Sequence, residues 1–179
     1  MADVRGAEAS DLETTIEKRI NRMLAKTEDG PRPISLATAE SCTGGNVAAR
    51  LTSIAGSSDY FLGGIVAYAN DAKTSLLGVS EETLATRGAV SAECAREMAE
   101  GARRALGADL AVSTTGIAGP GGATKRKSVG LGYNALAGPD GVATEEFHFP
   151  GGRAVVTDAA TEAALLMLLR GVERRLGLA

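Results

Sequence analysis

The chain has 179 residues, 44% of them hydrophobic and 23% charged, the size and make-up of one domain around one core. A formal net charge of −3 with no long basic run gives nucleic-acid binding no electrostatic support. No stretch reaches the roughly 18 consecutive apolar residues of a membrane span.

Aromatics are 3% with no Trp, so Ala, Val and Leu must build the core. The 23 glycines cluster in a few loops, which points to glycines with positional jobs. Cys42 and Cys94 have neither metal-ligand spacing nor a disulfide framework, which predicts a reducing cytoplasm and no metal site. The acidic, polar N-terminus predicts no signal peptide.

In chain order, residues 1–9 read as a tail. Ser10, Asp11, Leu12 and Glu13 form a capping box, and Ile16, Ile20, Met23 and Leu24 follow at helical spacing, predicting a helix over about 11–26. Residues 1–32 are thus expected to pack as tail and helix on a domain over 33–179. A first strand is predicted over 34–38 and a helix over 45–53. Between them lies a tight turn, Ala39 to Gly45, holding a carboxylate, two hydroxyls, a thiol and two glycines. Such a turn aims backbone N–H groups at an anion or a developing negative charge.

Residues 60–68 read as a second strand, apolar enough to be central, whose glycine pair suggests a bulge or a close backbone approach. Asn70 is placed to cap a helix over 71–77, with Lys73 in its first turn. Ser80 begins a short helix ending at Gly88. Ser91 caps another, with Ala95, Met98, Ala102 and Leu106 on its buried stripe. A third strand over 109–115 runs into a second glycine-rich loop, 116–122. Strands over 129–136 and 142–149 flank the turn Gly138-Pro139-Asp140-Gly141, a hairpin signal. A last helix is predicted over 153–176. The expected fold is α/β, a three-layer α/β/α sandwich with a mixed, mostly parallel sheet of about five strands. Ligands in such folds sit beyond the carboxyl ends of strands, and both glycine loops follow strands.

Ser41, Cys42 and Thr43 are all candidate nucleophiles. A serine needs a base. The single histidine, His148, alternates with Phe147 and Phe149 late in a hairpin strand, where a packing or surface role is the simpler reading. There is no G-x-S-x-G elbow. Lys73 and Tyr68 remain as possible bases, against the plainer alternatives of a solvated helix lysine and a tyrosine capping the core. Cys42 would need a thiolate; it reads more simply as a small buried residue, and so does Cys94. Glu40 either orients Ser41 or binds a sugar hydroxyl, unless it is only a helix N-terminal acid. The 114–122 loop offers backbone N–H groups to a phosphate or oxyanion. Lys125, Arg126 and Lys127 add charge beside it, the first two reading as a solvent-exposed turn. Arg153 is a further candidate for a phosphate. The residues themselves lead to an anion-binding α/β domain, with the substrate open.

Together these motifs resemble the CinA C-terminal domain family. The match is carried by 39–45, 56–58 with 60–64, Tyr68 with Asn70, Ala72 and Lys73, residues 76–79, and 115–122, and it spans about 33–175. The family is known for nicotinamide-nucleotide amidohydrolase activity. The resemblance implies hydrolysis of the carboxamide of nicotinamide mononucleotide to nicotinic acid mononucleotide and ammonia, in pyridine-nucleotide salvage.

It further implies Ser41 as nucleophile and Tyr68 and Lys73 as its activating residues. Glu40, Cys42, Thr43, Gly44, Gly45, Thr115, Gly116, Gly119, Gly121, Gly122, Lys127 and Arg153 would form the substrate site. No cofactor is expected. The expected partners are a small nucleotide substrate and a second copy in a homodimer, with no nucleic acid or membrane. Longer relatives carry an extra domain resembling molybdopterin-binding proteins, whose activity this chain is expected to lack. The chain departs from the family pattern at 123–128, where a proline and an acid are missing, and at Gly152, which stands where aspartate is usual. These departures bear on an alternative, a non-catalytic nucleotide-binding or regulatory module of the competence/DNA-damage type.

Overall fold

The computed structural model describes residues 15–25 and 33–178. The capping box at 10–13 lies outside them. Helix α1, Ile16–Leu24, buries Ile20 and Leu24. Strand β1, Leu36–Glu40, leads through a turn to α2, Asn46–Thr52. A short 3-10 turn precedes β2, Phe61–Val66. Helices α3 (Asn70–Leu77), α4 (Glu81–Thr86) and α5 (Ala92–Leu106) follow, then β3, Leu110–Gly116. The hairpin β4 (Leu131–Gly138) and β5 (Gly141–His148) leads to α6, Arg153–Arg175.

The five strands form one mixed sheet in the order β2-β1-β3-β4-β5. The β2-β1-β3 portion is parallel, and β4 and β5 add antiparallel. The β4–β5 pair is joined by a short turn, whereas the parallel pairs need crossover helices. Those helices cover both faces. Strand alternation sends Leu36, Leu110 and Val112 to a core with α1, α2 and α6, and Ala37, Ala39 and Ala111 to a core with α3 and α5. Among the described residues no helix is long and apolar enough to cross a membrane.

Two local expectations are corrected. Strand β2 lies at the sheet edge, not at the centre. Its apolar run alternates between half-buried and exposed positions, with Leu62 and Val66 open to solvent. Apolar content alone does not give strand order. Asn70 is the first helical residue of α3 rather than its cap; Ala69 holds the cap position with no side-chain bond. Ser80 and Ser91 do cap, accepting from the Thr83 and Cys94 amides.

The glycine pair of β2 does two jobs. The ladder with β1 slips between Leu36 and Ala37, opposite Phe61 and Gly63. A Cβ at Gly64 would stand 2.4 Å from Thr38 Oγ1 and 3.1 Å from the Ala48 side chain. The missing side chain lets α2 close over β2.

Candidate active site

The β1–α2 turn is built around Glu40. Its side chain is buried, and it accepts from the amides of Gly45 (2.9 Å), Val47 (3.1 Å) and Ala48 (2.8 Å). It also accepts from the hydroxyls of Thr43 (2.7 Å) and Thr38 (3.3 Å). Glu40 therefore acts as an internal cap that occupies the start of α2, where the helix field favours a negative charge. Gly44 and Gly45 take positive φ of 62° and 104°, which lets the chain fold back onto that carboxylate.

The remaining amides sort cleanly. Ser41 N–H points to the Thr114 carbonyl at 3.0 Å, and Gly44 N–H to the Ser41 carbonyl at 3.2 Å. Among the described residues, the amides of Cys42 and Thr43 have no acceptor in another residue. The turn thus offers two adjacent backbone donors, not the whole helix start.

Ser41 is 9% exposed, and Lys73 is 1% exposed. Lys73 Nζ lies 3.2 Å from Ser41 Oγ, 2.8 Å from the Ala67 carbonyl and 3.1 Å from the Tyr68 carbonyl. It forms no ion pair among the described residues. Burial pushes its ammonium below the ordinary lysine value, against a smaller opposing pull from the Cys94 and Cys42 thiols. Two of the three neighbours are carbonyls, which only accept. When Lys73 is neutral they take its two N–H groups, and the lone pair is left for the Ser41 hydroxyl proton.

Tyr68 reaches this centre through its backbone. Tyr68 is 56% exposed, and its hydroxyl accepts from Arg153 Nη2 at 2.7 Å. Arg153, first residue of α6, also donates through Nη1 to the Gly119 carbonyl at 3.1 Å. Tyr68, Arg153 and the second glycine loop therefore meet.

That loop touches the turn directly. A Cβ on Gly116 would lie 3.3 Å from Cys42 Sγ and 3.1 Å from both Gly132 Cα and the Leu131 carbonyl. Gly119 and Gly122 hold positive φ; Gly121 meets nothing within 4 Å of where a Cβ would stand. Thr115 turns to the other face and donates to the Ala89 carbonyl at 2.6 Å. Lys127 Nζ donates to the carbonyls of Arg87 (2.7 Å) and Val90 (2.5 Å), pinning the loop to the α4–α5 connection. Between these segments lies a cleft of about 510 Å³, lined by Gly88, Val90, Ile117 and Gly122 with Lys125 and Arg126 at its edge. That volume suits a small ligand.

Cys42 packs with Phe147 and Ala160, and burial pushes its thiol up to about 11. Cys94, also buried, is likewise pushed up to about 11. Neither supplies thiolate near neutrality. His148 bonds Ser128 Oγ at 2.8 Å. Thr114, passed over in favour of Thr115, stands beside the turn, its hydroxyl 2.7 Å from Thr43 Oγ1. Strand alternation was the signal that separates the two.

A model of the CinA C-terminal domain matches residues 13–172. A CinA-like protein of Geobacter sulfurreducens is 45% identical over 170 residues, covering 95% of this chain and 39% of that protein. The chain spans about two fifths or less of the curated relatives it matches, from 26% to 42%. The crystal structure of competence/damage inducible protein CihA from Agrobacterium tumefaciens superposes with TM-score 0.79 at 44% identity, over 87% of this chain and 94% of that one. A CinA superfamily protein from Klebsiella pneumoniae gives 0.81 at 33% identity, over 89% and 96%. By family model, relatives and fold together, this chain belongs to the CinA C-terminal domain family.

Proposed function

We propose that the chain is an amidohydrolase that removes ammonia from the carboxamide of nicotinamide mononucleotide, with Ser41 as nucleophile. One observation carries the reaction type: a desolvated Lys73 amine held by two carbonyls with its third direction on Ser41 Oγ. The substrate rests on the resemblance described above.

Neutral Lys73 takes the Ser41 proton as Oγ attacks the carboxamide carbon. The amides of Cys42 and Thr43 receive the oxyanion. The resulting ammonium of Lys73 returns its proton to the departing nitrogen as the C–N bond breaks, releasing ammonia and leaving an ester on Ser41. Water, deprotonated by the same amine, then hydrolyses that ester and frees the acid and the serine. The glycine loop, Arg153 and the basic edge of the neighbouring cleft support the phosphate. In this reading Tyr68 acts through its carbonyl and through Arg153. The reading includes a homodimer through the terminal helices and a cytoplasmic setting.

The test is ammonia release from nicotinamide mononucleotide by the wild type, Ser41→Ala and Lys73→Met. Turnover lost in both variants supports the mechanism. An inert wild type, or a Ser41→Ala protein keeping most of its rate, overturns it. Tight binding of the nucleotide with no ammonia release would establish a binding module instead.

A further inference from the structure

We propose that Thr114, acting through Thr43 and Glu40, is a positioning residue that fixes the Ser41 turn for the reaction; this rests on the amidohydrolase reading above. The direction of each hydrogen bond follows from the number of protons available. The Glu40 carboxylate has five donors aimed at it and only accepts. Thr43 has one hydroxyl proton, and Glu40 takes it at 2.7 Å. In the 2.7 Å contact between Thr43 and Thr114, Thr114 is therefore the donor. With its own proton engaged, the Thr114 oxygen faces Ser41 N–H, 3.4 Å away, as an acceptor.

The protons thus all point one way, from Ser41 N–H through Thr114 and Thr43 to Glu40. The pattern sorts the chemistry of the turn. Ser41 N–H is drawn into β3 by both the carbonyl and the hydroxyl of Thr114. The amides of Gly45, Val47 and Ala48 are drawn onto Glu40. The Cys42 and Thr43 amides are left as the donors for an oxyanion. All three members of the relay are buried, with the register pairing Glu40 directly with Thr114 across two parallel strands.

The experiment compares Thr114→Val, which keeps the shape and loses the hydroxyl, with Thr114→Ser, which restores it. Thr114→Val is expected to lower kcat about tenfold or more with KM within about twofold, the mark of support lost in the transition state. Thr114→Ser is expected to recover to within about threefold of wild type.

A second readout needs no turnover. Cys42 is buried in the same turn, so a loosened turn exposes it: its alkylation by iodoacetamide, resolved from Cys94 by peptide mass spectrometry, is expected to accelerate at least about fivefold in Thr114→Val and not in Thr114→Ser. If Thr114→Val does not fold, Thr43→Val breaks the same relay one step along and is expected to give the same pair of changes. An unchanged kcat with unchanged Cys42 labelling overturns the relay. Accelerated labelling in a chain that never releases ammonia keeps the relay and removes the amidohydrolase reading.

Discussion

Lys73 Nζ sits 3.2 Å from Ser41 Oγ, joining two side chains that are 32 residues apart in sequence. The nucleophile follows β1 and the lysine enters with the helix after β2, so parallel pairing of these two strands brings the groups together. Ala67 N–H bonding the Glu40 carbonyl at 2.9 Å extends that pairing past the strand ends to the site.

Removal of either group should abolish turnover and leave the fold intact. Ser41→Ala and Lys73→Met are each expected to lose about 10³-fold or more in kcat, as for nucleophile and base acting as a unit. Measured ammonia release and an unchanged helical circular-dichroism spectrum check this. A Lys73→Met rate near wild type would remove the lysine from the mechanism.

The pH profile follows from the direction of the Lys73 shift. Only the neutral amine accepts the Ser41 proton, and burial lowers its proton affinity below the ordinary 10.5. The rate should therefore climb with pH and level off at an inflection below that value. The same lysine makes stability rise with pH between its folded and unfolded pKa, because the unfolded chain binds more protons there. Rate measurements across a buffer series test the first statement, and denaturant midpoints across the same series test the second. An inflection at or above 10.5 contradicts the assignment.

Tyr68 separates the two possible bases. Its hydroxyl is engaged with Arg153, on an exposed ring. Tyr68→Phe should change stability by no more than about 0.5 kcal/mol. It should raise KM several-fold through a loosened Arg153 while leaving kcat within about threefold of wild type. A kcat loss matching that of Lys73→Met would make the phenol the base.

Cys42→Ala should keep turnover within about threefold and cost on the order of 1 kcal/mol, the loss of a small packed group beside Phe147 and Ala160. Steady-state kinetics and thermal melts check it. Abolished turnover here, with Ser41→Ala active, would transfer the chemistry to the thiol.

The fold contains a sharper constraint in α5. A Cβ on Gly101 would stand 2.0 Å from the Leu77 carbonyl oxygen, which is backbone and cannot rotate away. Gly101→Ala should cost about 1–3 kcal/mol or more through overpacking. Calorimetry should show a fall in Tm of roughly 2–4 °C per kcal/mol in a chain of this size.

Much of this was legible from residue types. The hydroxyl-and-glycine turn, the caps at Ser80 and Ser91 and the hairpin at 138–141 all express local chemistry, and local chemistry survives in the order of residues. What resisted reading was non-local. The apolar run of β2 could not declare itself an edge, because strand order is set by how the whole chain crosses over. Glu40 could have served a ligand or a helix, and only the three amides converging on it decide the matter. Lys127 carries the charge expected beside a phosphate, yet its ammonium is held by two carbonyls of a loop some 40 residues earlier. The choice between Thr114 and Thr115 turned on a one-residue alternation.

The edge position of β2 has a kinetic consequence. The segment that delivers Lys73 is held on one side only, by its ladder with β1, while β3 is flanked on both sides. Strands with a single neighbour open locally more readily than interior ones. Each such opening hydrates the amine, restores its ordinary affinity for a proton and separates it from Ser41. Catalysis should therefore fail in denaturant before the helices melt, with amides of Phe61–Val66 exchanging ahead of those of Leu110–Gly116. Coincident loss of activity and helicity would show instead that the edge and the core open as one.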